Sequence, residues 1–278
     1  MNKYAGAGVG LVSALLLMAC NGRDEAADSA TSAPPAAGPV AATPAEGQMV
    51  DVIQTSPTQI IGISYPHDAA VPAGLVKVMQ DYADHARAEL QSALDGLGND
   101  TPRVPYELSL SFTVSADTPD LMAISADGSR YTGGAHGQPL VARFVWLKQE
   151  GRLLPIDELI SQPDSRTAIA DYVQQRLVEQ MESRLQADKL SATEQAELLR
   201  SARRMISEGT EPEAENFSQF LPVMDRQGRI SGLRFVFPPY QVGPYSDGTQ
   251  SMEVPVDVLL PHLEPKYRHL FANSPAPV

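Results

Sequence analysis

Between residues 106 and 114 the chain reads Tyr-Glu-Leu-Ser-Leu-Ser-Phe-Thr-Val, an unbroken alternation of apolar and polar side chains. Successive side chains of a strand point to opposite faces, so Tyr106, Leu108, Leu110, Phe112 and Val114 share one face. A strand of this kind demands a sheet with one buried face and something to cover it. The cover comes earlier in the chain. From Pro72 to about Leu97 the residues Leu75, Val78, Met79, Tyr82, Ala86, Leu90, Ala93 and Leu94 keep helical three-and-four spacing, with Lys77, Asp81, Asp84 and Arg87 placed elsewhere. Such a helix should lie across a sheet. Ile60-Ile61-Gly62-Ile63-Ser64-Tyr65, branched and aromatic and ended by Pro66, supplies a further strand.

Beyond residue 114 the apolar runs Leu121 to Ser125 and Val141 to Leu147 are set apart by Ala116-Asp117-Thr118-Pro119, by Asp127-Gly128 and by a Gly-rich segment, which predicts an antiparallel meander. Gln149-Glu150-Gly151-Arg152 turns the chain toward Leu153-Leu154-Pro155-Ile156-Asp157-Glu158-Leu159. Pro163 and Asp164 open a helix with the stripe Ala168, Ile169, Tyr172, Val173, Leu177, Val178 and Met181, and Ser191-Ala192-Thr193-Glu194 is a capping box for another. Strands return at Phe217 to Met224 and Ile230 to Phe237, joined by Asp225-Arg226-Gln227-Gly228-Arg229, and at Met252 to Val256. The fold class is therefore α+β, an antiparallel sheet layered with helices.

The ends of the chain do not read as fold. Residues 1–19 carry a single charge, Lys3, and finish in the apolar block Ala14 to Ala19 directly before Cys20, the pattern of a secretion signal too short to span a bilayer comfortably. Leu17-Met18-Ala19-Cys20 resembles the bacterial lipobox, in which the chain is cut before a cysteine that becomes acylated. That resemblance makes Cys20 a lipidation site and the membrane lipid its first partner. Acyl chains add roughly 0.8 kcal/mol per buried methylene, so several of them hold a domain on a membrane almost irreversibly. Asn21 stands where an aspartate would resemble the inner-membrane retention signal, which implies the outer membrane of a Gram-negative bacterium, facing the periplasm. Residues 25–48 are Ala, Pro, Gly, Ser or Thr at 19 of 24 positions, too poor in apolar surface to offset ordering entropy. Residues 20–49 are thus a lipidated tether, 273–278 a second disordered fringe, and the folded unit spans about 50 to 272.

The formal net charge is -13, and removing Lys3 with the signal leaves the mature chain at -14. That excludes nucleic acid as a partner, because neutralising phosphates needs clustered Lys and Arg, and it suits a basic ligand. With Cys20 as the single cysteine, internal disulfides and Cys-rich zinc sites are excluded.

Two segments are candidates for a site. Tyr131-Thr132-Gly133-Gly134-Ala135-His136-Gly137 packs three glycines into five positions, permitting positive φ and close backbone approach. His136 either locks a tight strand connection by hydrogen bonds or contacts a ligand. Neither a Lys nor a helix follows as a phosphate-binding loop requires. Phe235-Val236-Phe237-Pro238-Pro239-Tyr240-Gln241-Val242-Gly243-Pro244-Tyr245-Ser246-Asp247-Gly248 joins aromatic residues to stiffening prolines. It is either a preorganised contact surface or a rigid corner whose tyrosines plug the core.

The search for a catalytic set is negative. His67, His85, His136, His262 and His269 include no pair at i and i+4, no Gly-x-Ser-x-Gly elbow occurs, and the only thiol is the lipidation cysteine. No catalytic residue, metal ligand or cofactor site is assigned. Carboxylates are plentiful, but nothing selects a pair, and Asp117, Asp120 and Asp127 read as loop residues.

Taken in order, Tyr131 to Gly137, Leu153 to Leu159, Phe237 to Gly248 and Val254-Pro255 resemble a domain found in the extracellular part of RsiV-type anti-sigma factors and beside the catalytic domain of PdaC-type peptidoglycan deacetylases. The resemblance implies a small leading α/β subdomain at 50–104, like the companion that precedes this domain, joined to a larger α+β domain at 105–272. It also implies an extracytoplasmic binding module, since RsiV-type proteins bind lysozyme through this region and the deacetylases act on cell-wall glycan. Tyr131, Thr132, Gly133, Gly134, His136, Tyr240, Pro244 and Tyr245 are then the ligand-binding candidates, with a lysozyme-like basic protein or peptidoglycan as partner. The alternative is an envelope glycan hydrolase working through His136 and a nearby Asp.

Overall fold

The computed structural model describes residues 49–187 and 190–272. The expected signal, the lipidation site Cys20, the tether through residue 48 and the 273–278 fringe lie outside the described residues.

Six strands, β1 (Val52–Thr55), β2 (Gln59–Ser64), β3 (Tyr106–Asp117), β4 (Leu121–Tyr131), β5 (Gln138–Leu147) and β6 (Arg152–Leu153), form one sheet in that order. All pairings are antiparallel except β2 with β3, which is parallel. Between those two strands runs helix α1 (Ala73–Asp95), and a helical crossover returns the chain in the direction it left, so its strands pair in parallel.

The helix covers the sheet as its stripe requires. Leu75, Val76, Met79, Ala83, Ala86 and Leu90 are buried against Ile61, Ile63, Leu108, Leu110, Phe112, Met122, Ile124 and Trp146. Val78, Tyr82, Ala93 and Leu94 of the expected stripe are partly buried at its margins. Strand β4 runs straight through Asp127-Gly128, where the sequence suggested a break. Gly128 serves a close approach instead: a Cβ there would stand 1.9 Å from the Ser109 carbonyl oxygen on β3.

The far side of the sheet carries a second core. Leu121, Ala123, Val145 and Leu147 pack with Leu154, Ile156 and Leu159, the last two in the short helix α2 (Ile156–Leu159). Helix α3 (Pro163–Ala187) adds Ile169, Val173 and Leu177. A three-stranded antiparallel sheet, β7 (Phe220–Met224), β8 (Ile230–Phe237) and β9 (Gln250–Pro255), contributes Phe220, Phe235, Phe237 and Val254. Helix α4 (Ala192–Gly209) begins with the expected capping box, in which Ser191 and Glu194 satisfy each other's backbone N–H groups, and it packs on α3. The short helix α5 (Val256–Leu259) and a 3-10 turn at Pro265–Leu270 close this core with Tyr267 and Phe271.

The expected join at 104/105 falls in the loop just before β3. The parallel pairing of β2 with β3 spans it, so strands from both sides belong to one sheet. Among the described residues no helix is long and apolar enough to cross a membrane.

Candidate functional site

The two segments singled out by sequence converge. Strand β4 ends at Tyr131, and the next residues leave the sheet because Gly133 (φ 94) and Gly134 (φ 99) turn through conformations in which an L side chain clashes with its own backbone. The Tyr131 hydroxyl donates to the Gly134 carbonyl at 3.2 Å and closes the loop, leaving His136 exposed at its tip.

From the other side comes the loop between β8 and β9. Pro238 and Pro239 lead into Tyr240, whose backbone sits at φ 76, the one non-glycine residue at positive φ among those described. The reversal is held by Tyr240 N–H donating to the Gly243 carbonyl at 3.0 Å and Gln241 N–H to that of Pro238 at 3.1 Å. Pro244 then opens a 3-10 turn that presents Tyr245.

His136 meets both tyrosines. Its ring stacks on Tyr245 with centroids 4.0 Å apart and planes 18° from parallel, and its Nε2 lies 3.0 Å from the Tyr240 hydroxyl. The Tyr245 hydroxyl donates to the Gly137 carbonyl at 3.1 Å, with His136 Nδ1 3.3 Å from the same oxygen. With the proton on Nδ1, that nitrogen donates to Gly137 while Nε2 accepts from Tyr240, so every polar atom of the three rings has a partner. The centroids of Tyr240 and Tyr245 lie 5.6 Å apart.

The loop beneath the rings is fastened at three points. Val242 is buried in the second core. The Gln241 side-chain amide donates to the carbonyls of Gly209, at the end of α4, and Asn216, each at 2.9 Å. Asp247 accepts from Arg184 of α3 at 2.7 Å. Gly209 permits this fit, because a Cβ there would stand 2.0 Å from the Gln241 carbonyl oxygen.

Of the residues expected at a site, Tyr131, Gly134, His136, Tyr240 and Tyr245 belong to this cluster. Thr132 is half-buried in the loop backbone, Gly133 supplies the turn, and Pro244 is exposed and acts through the turn it opens. Sequence reasoning missed Gln241, Gly209 and Arg184. Gln241 lay inside the quoted segment, but only the folded chain shows what its amide spans. Gly209 and Arg184 sit in helices where each reads as ordinary.

His136 forms no hydrogen bond or ion pair with a carboxylate among the described residues. Nor does any group of three or more His, Cys, Asp and Glu side chains there stand together as metal ligands would. The most perturbed carboxylate is Glu158, on α2. It accepts from Arg152, Lys266 and Tyr267, which hold its carboxyl down at about 2. Those contacts tie α2 to the 265–270 turn.

Comparison with known proteins divides the chain at this site. Residues 55–138 match the family model described as Deacetylase PdaC. Residues 157–257 match a second, described as a protein of unknown function, DUF3298. His136 lies at the end of the first matched segment and Tyr240 and Tyr245 within the second, so the ring cluster is formed by both; residues 105–138, expected with the larger domain, fall in the first. Among solved structures, a DUF3298-family member from Bacteroides fragilis is similar at 17% identity with a TM-score of 0.50, over 78% of this chain and 93% of its own. A DUF3298-family protein from Pseudomonas aeruginosa is 15% identical over 80% of this chain and 93% of its own, with a TM-score of 0.45. The first likeness supports the α+β fold. No curated protein matches.

Proposed function

We propose that this chain is a non-catalytic binding module of the cell envelope, anchored through Cys20, whose folded part docks a basic protein through the ring cluster of His136, Tyr240 and Tyr245. The observation that carries this reading is Tyr240. It is 56% exposed yet held at positive φ by a loop fastened to two helices, so a broad amphipathic side chain is presented with little freedom left to lose. Tyrosine, with tryptophan and arginine, is enriched among the residues that carry most of the binding energy at protein interfaces. The formal charge of -13 favours a cationic partner, of which a lysozyme-like protein is the type implied by the RsiV resemblance, and it would speed the encounter. Peptidoglycan is the other ligand that the resemblance implies. The hydrolase alternative needs a carboxylate beside His136, and the partners of that ring are a tyrosine hydroxyl and a backbone carbonyl.

The test is titration of the protein with hen-type lysozyme and with peptidoglycan fragments at low ionic strength. Lysozyme is expected to bind, and Tyr240→Ala to weaken it by about 2 kcal/mol, roughly thirtyfold. Binding of neither ligand would remove the proposal. Retention of Cys20→Ala in the membrane fraction would remove its anchor.

A further inference from the structure

The two sheets do not close on one another along their full length. β7 packs over β3, β4 and β5, and beside that seam a cleft of about 610 Å³ opens between the polar face of the six-stranded sheet and the outer face of the three-stranded one. That volume falls within the roughly 300–1,000 Å³ of small-ligand sites. The cleft is separate from the ring cluster, none of whose residues line it.

Its chemistry is distinctive. On the floor, the hydroxyls of Ser115 of β3 and Ser125 of β4 stand 2.6 Å apart, and across the gap are Thr249 and Ser251. Each hydroxyl both donates and accepts. Val236 of β8 and Leu221, Pro222, Val223 and Met224 of β7 supply an apolar strip beside them. Two arginines border the cleft, and among the described residues no carboxylate lines it, on a chain of net charge -13.

The arginines differ. Arg143 is committed to the fold: its Nη1 donates to the carbonyls of Ala126 and Ala142 and its Nη2 to Asp127. Arg234 is 50% exposed, and its contact with Glu253 is loose at 3.4 Å. A pair so exposed contributes little, so a ligand carboxylate that engages the guanidinium in two parallel hydrogen bonds displaces it readily.

A cleft offering four hydroxyls, one apolar strip and one available guanidinium is complementary to a ring bearing several hydroxyls and a single carboxylate. We infer that it binds a sugar acid, with the carboxylate on Arg234, the ring hydroxyls on Ser115, Ser125, Thr249 and Ser251, and a C–H face against Val236. The same chemistry is presented by a free sugar acid and by a uronate residue within a polysaccharide.

Calorimetric titration of the full-length protein with glucuronate, a galacturonate trisaccharide, glucose and triglutamate tests this. The uronates are expected to bind, with glucose and triglutamate at least tenfold weaker. Tighter binding of the trisaccharide assigns a polymer as source, and equal affinity a free acid. Arg234→Ala should reduce uronate binding at least tenfold, Ser251→Ala severalfold, and Tyr240→Ala not at all, which separates this site from the ring cluster. Both cleft substitutions are on exposed positions, and an unchanged melting curve confirms that they fold. The inference is overturned if no uronate binds, if glucose or triglutamate binds as tightly, or if Arg234→Ala has no effect.

Discussion

Tyr240 holds a conformation that a side chain resists. At φ 76 an L residue crowds its neighbouring carbonyl at a cost of roughly 1–2 kcal/mol, which glycine avoids. Tyr240→Ala and Tyr240→Gly both lose the ring, so their difference reports the relief of backbone strain less the entropy that glycine adds to the unfolded chain. The glycine variant should be the more stable by up to about 1 kcal/mol in denaturant unfolding, and a less stable glycine variant would mean that the loop relaxes when the ring is gone. Gly128 is the opposite case, a glycine kept for space. A Cβ at 1.9 Å from the Ser109 carbonyl oxygen cannot be accommodated without separating β3 from β4, so Gly128→Ala should cost about 3 kcal/mol or more. Neither feature was legible beforehand. Pro-Pro-Tyr-Gln contains no glycine to announce a positive φ, and Asp-Gly reads as a turn until the long pairing of β3 with β4 carries it into a strand.

At the scale of elements, the loop between β8 and β9 is rigid because of what it is fastened to. Gln241 donates to two backbone carbonyls, at Gly209 and Asn216, which otherwise lack those partners. Removing its amide in Gln241→Ala should destabilise the protein by about 2 kcal/mol, at roughly 1 kcal/mol per hydrogen bond. It should also raise amide hydrogen exchange in residues 240–248 while β3 and β4 stay protected. Uniform loss of protection would show instead that the loop unfolds only with the whole molecule. The elements themselves were largely readable: the stripe of α1, the alternation in β3, the capping box of α4 and the turn at Asp225–Arg229 are local patterns of spacing and turn chemistry. The parallel pairing of β2 with β3 was not read from them, although the helix between the two strands was the available signal.

At the scale of the molecule, Glu158 links α2 to the C-terminal turn, and its carboxyl titrates at about 2 against an ordinary 4.5, chiefly because Arg152 bonds its charged form. A folded pKa below the unfolded one means that the unfolded chain binds the proton more readily. The stabilisation is therefore full above about pH 4.5 and is lost as pH falls toward 2. Thermal midpoints measured from about pH 6 to about pH 2 should fall for the natural chain, and Glu158→Gln should flatten part of that limb. The group is partly exposed and solvent screens it, so the difference is about 1 kcal/mol. An identical limb in the variant would assign the acid sensitivity to other carboxylates.

The α+β class, the layering of a helix on an alternating strand, most element positions and the two segments at the site can be read from the chain alone. These follow from side-chain periodicity and from glycine and proline chemistry, which act over a few residues. That His136 and Tyr240, 104 positions apart, share a hydrogen bond, and that Ser115 and Arg234 line one cleft, emerges in the folded chain. Such pairings depend on how two sheets pack around common cores, and packing is set by the sum of many buried contacts rather than by any local pattern in the chain.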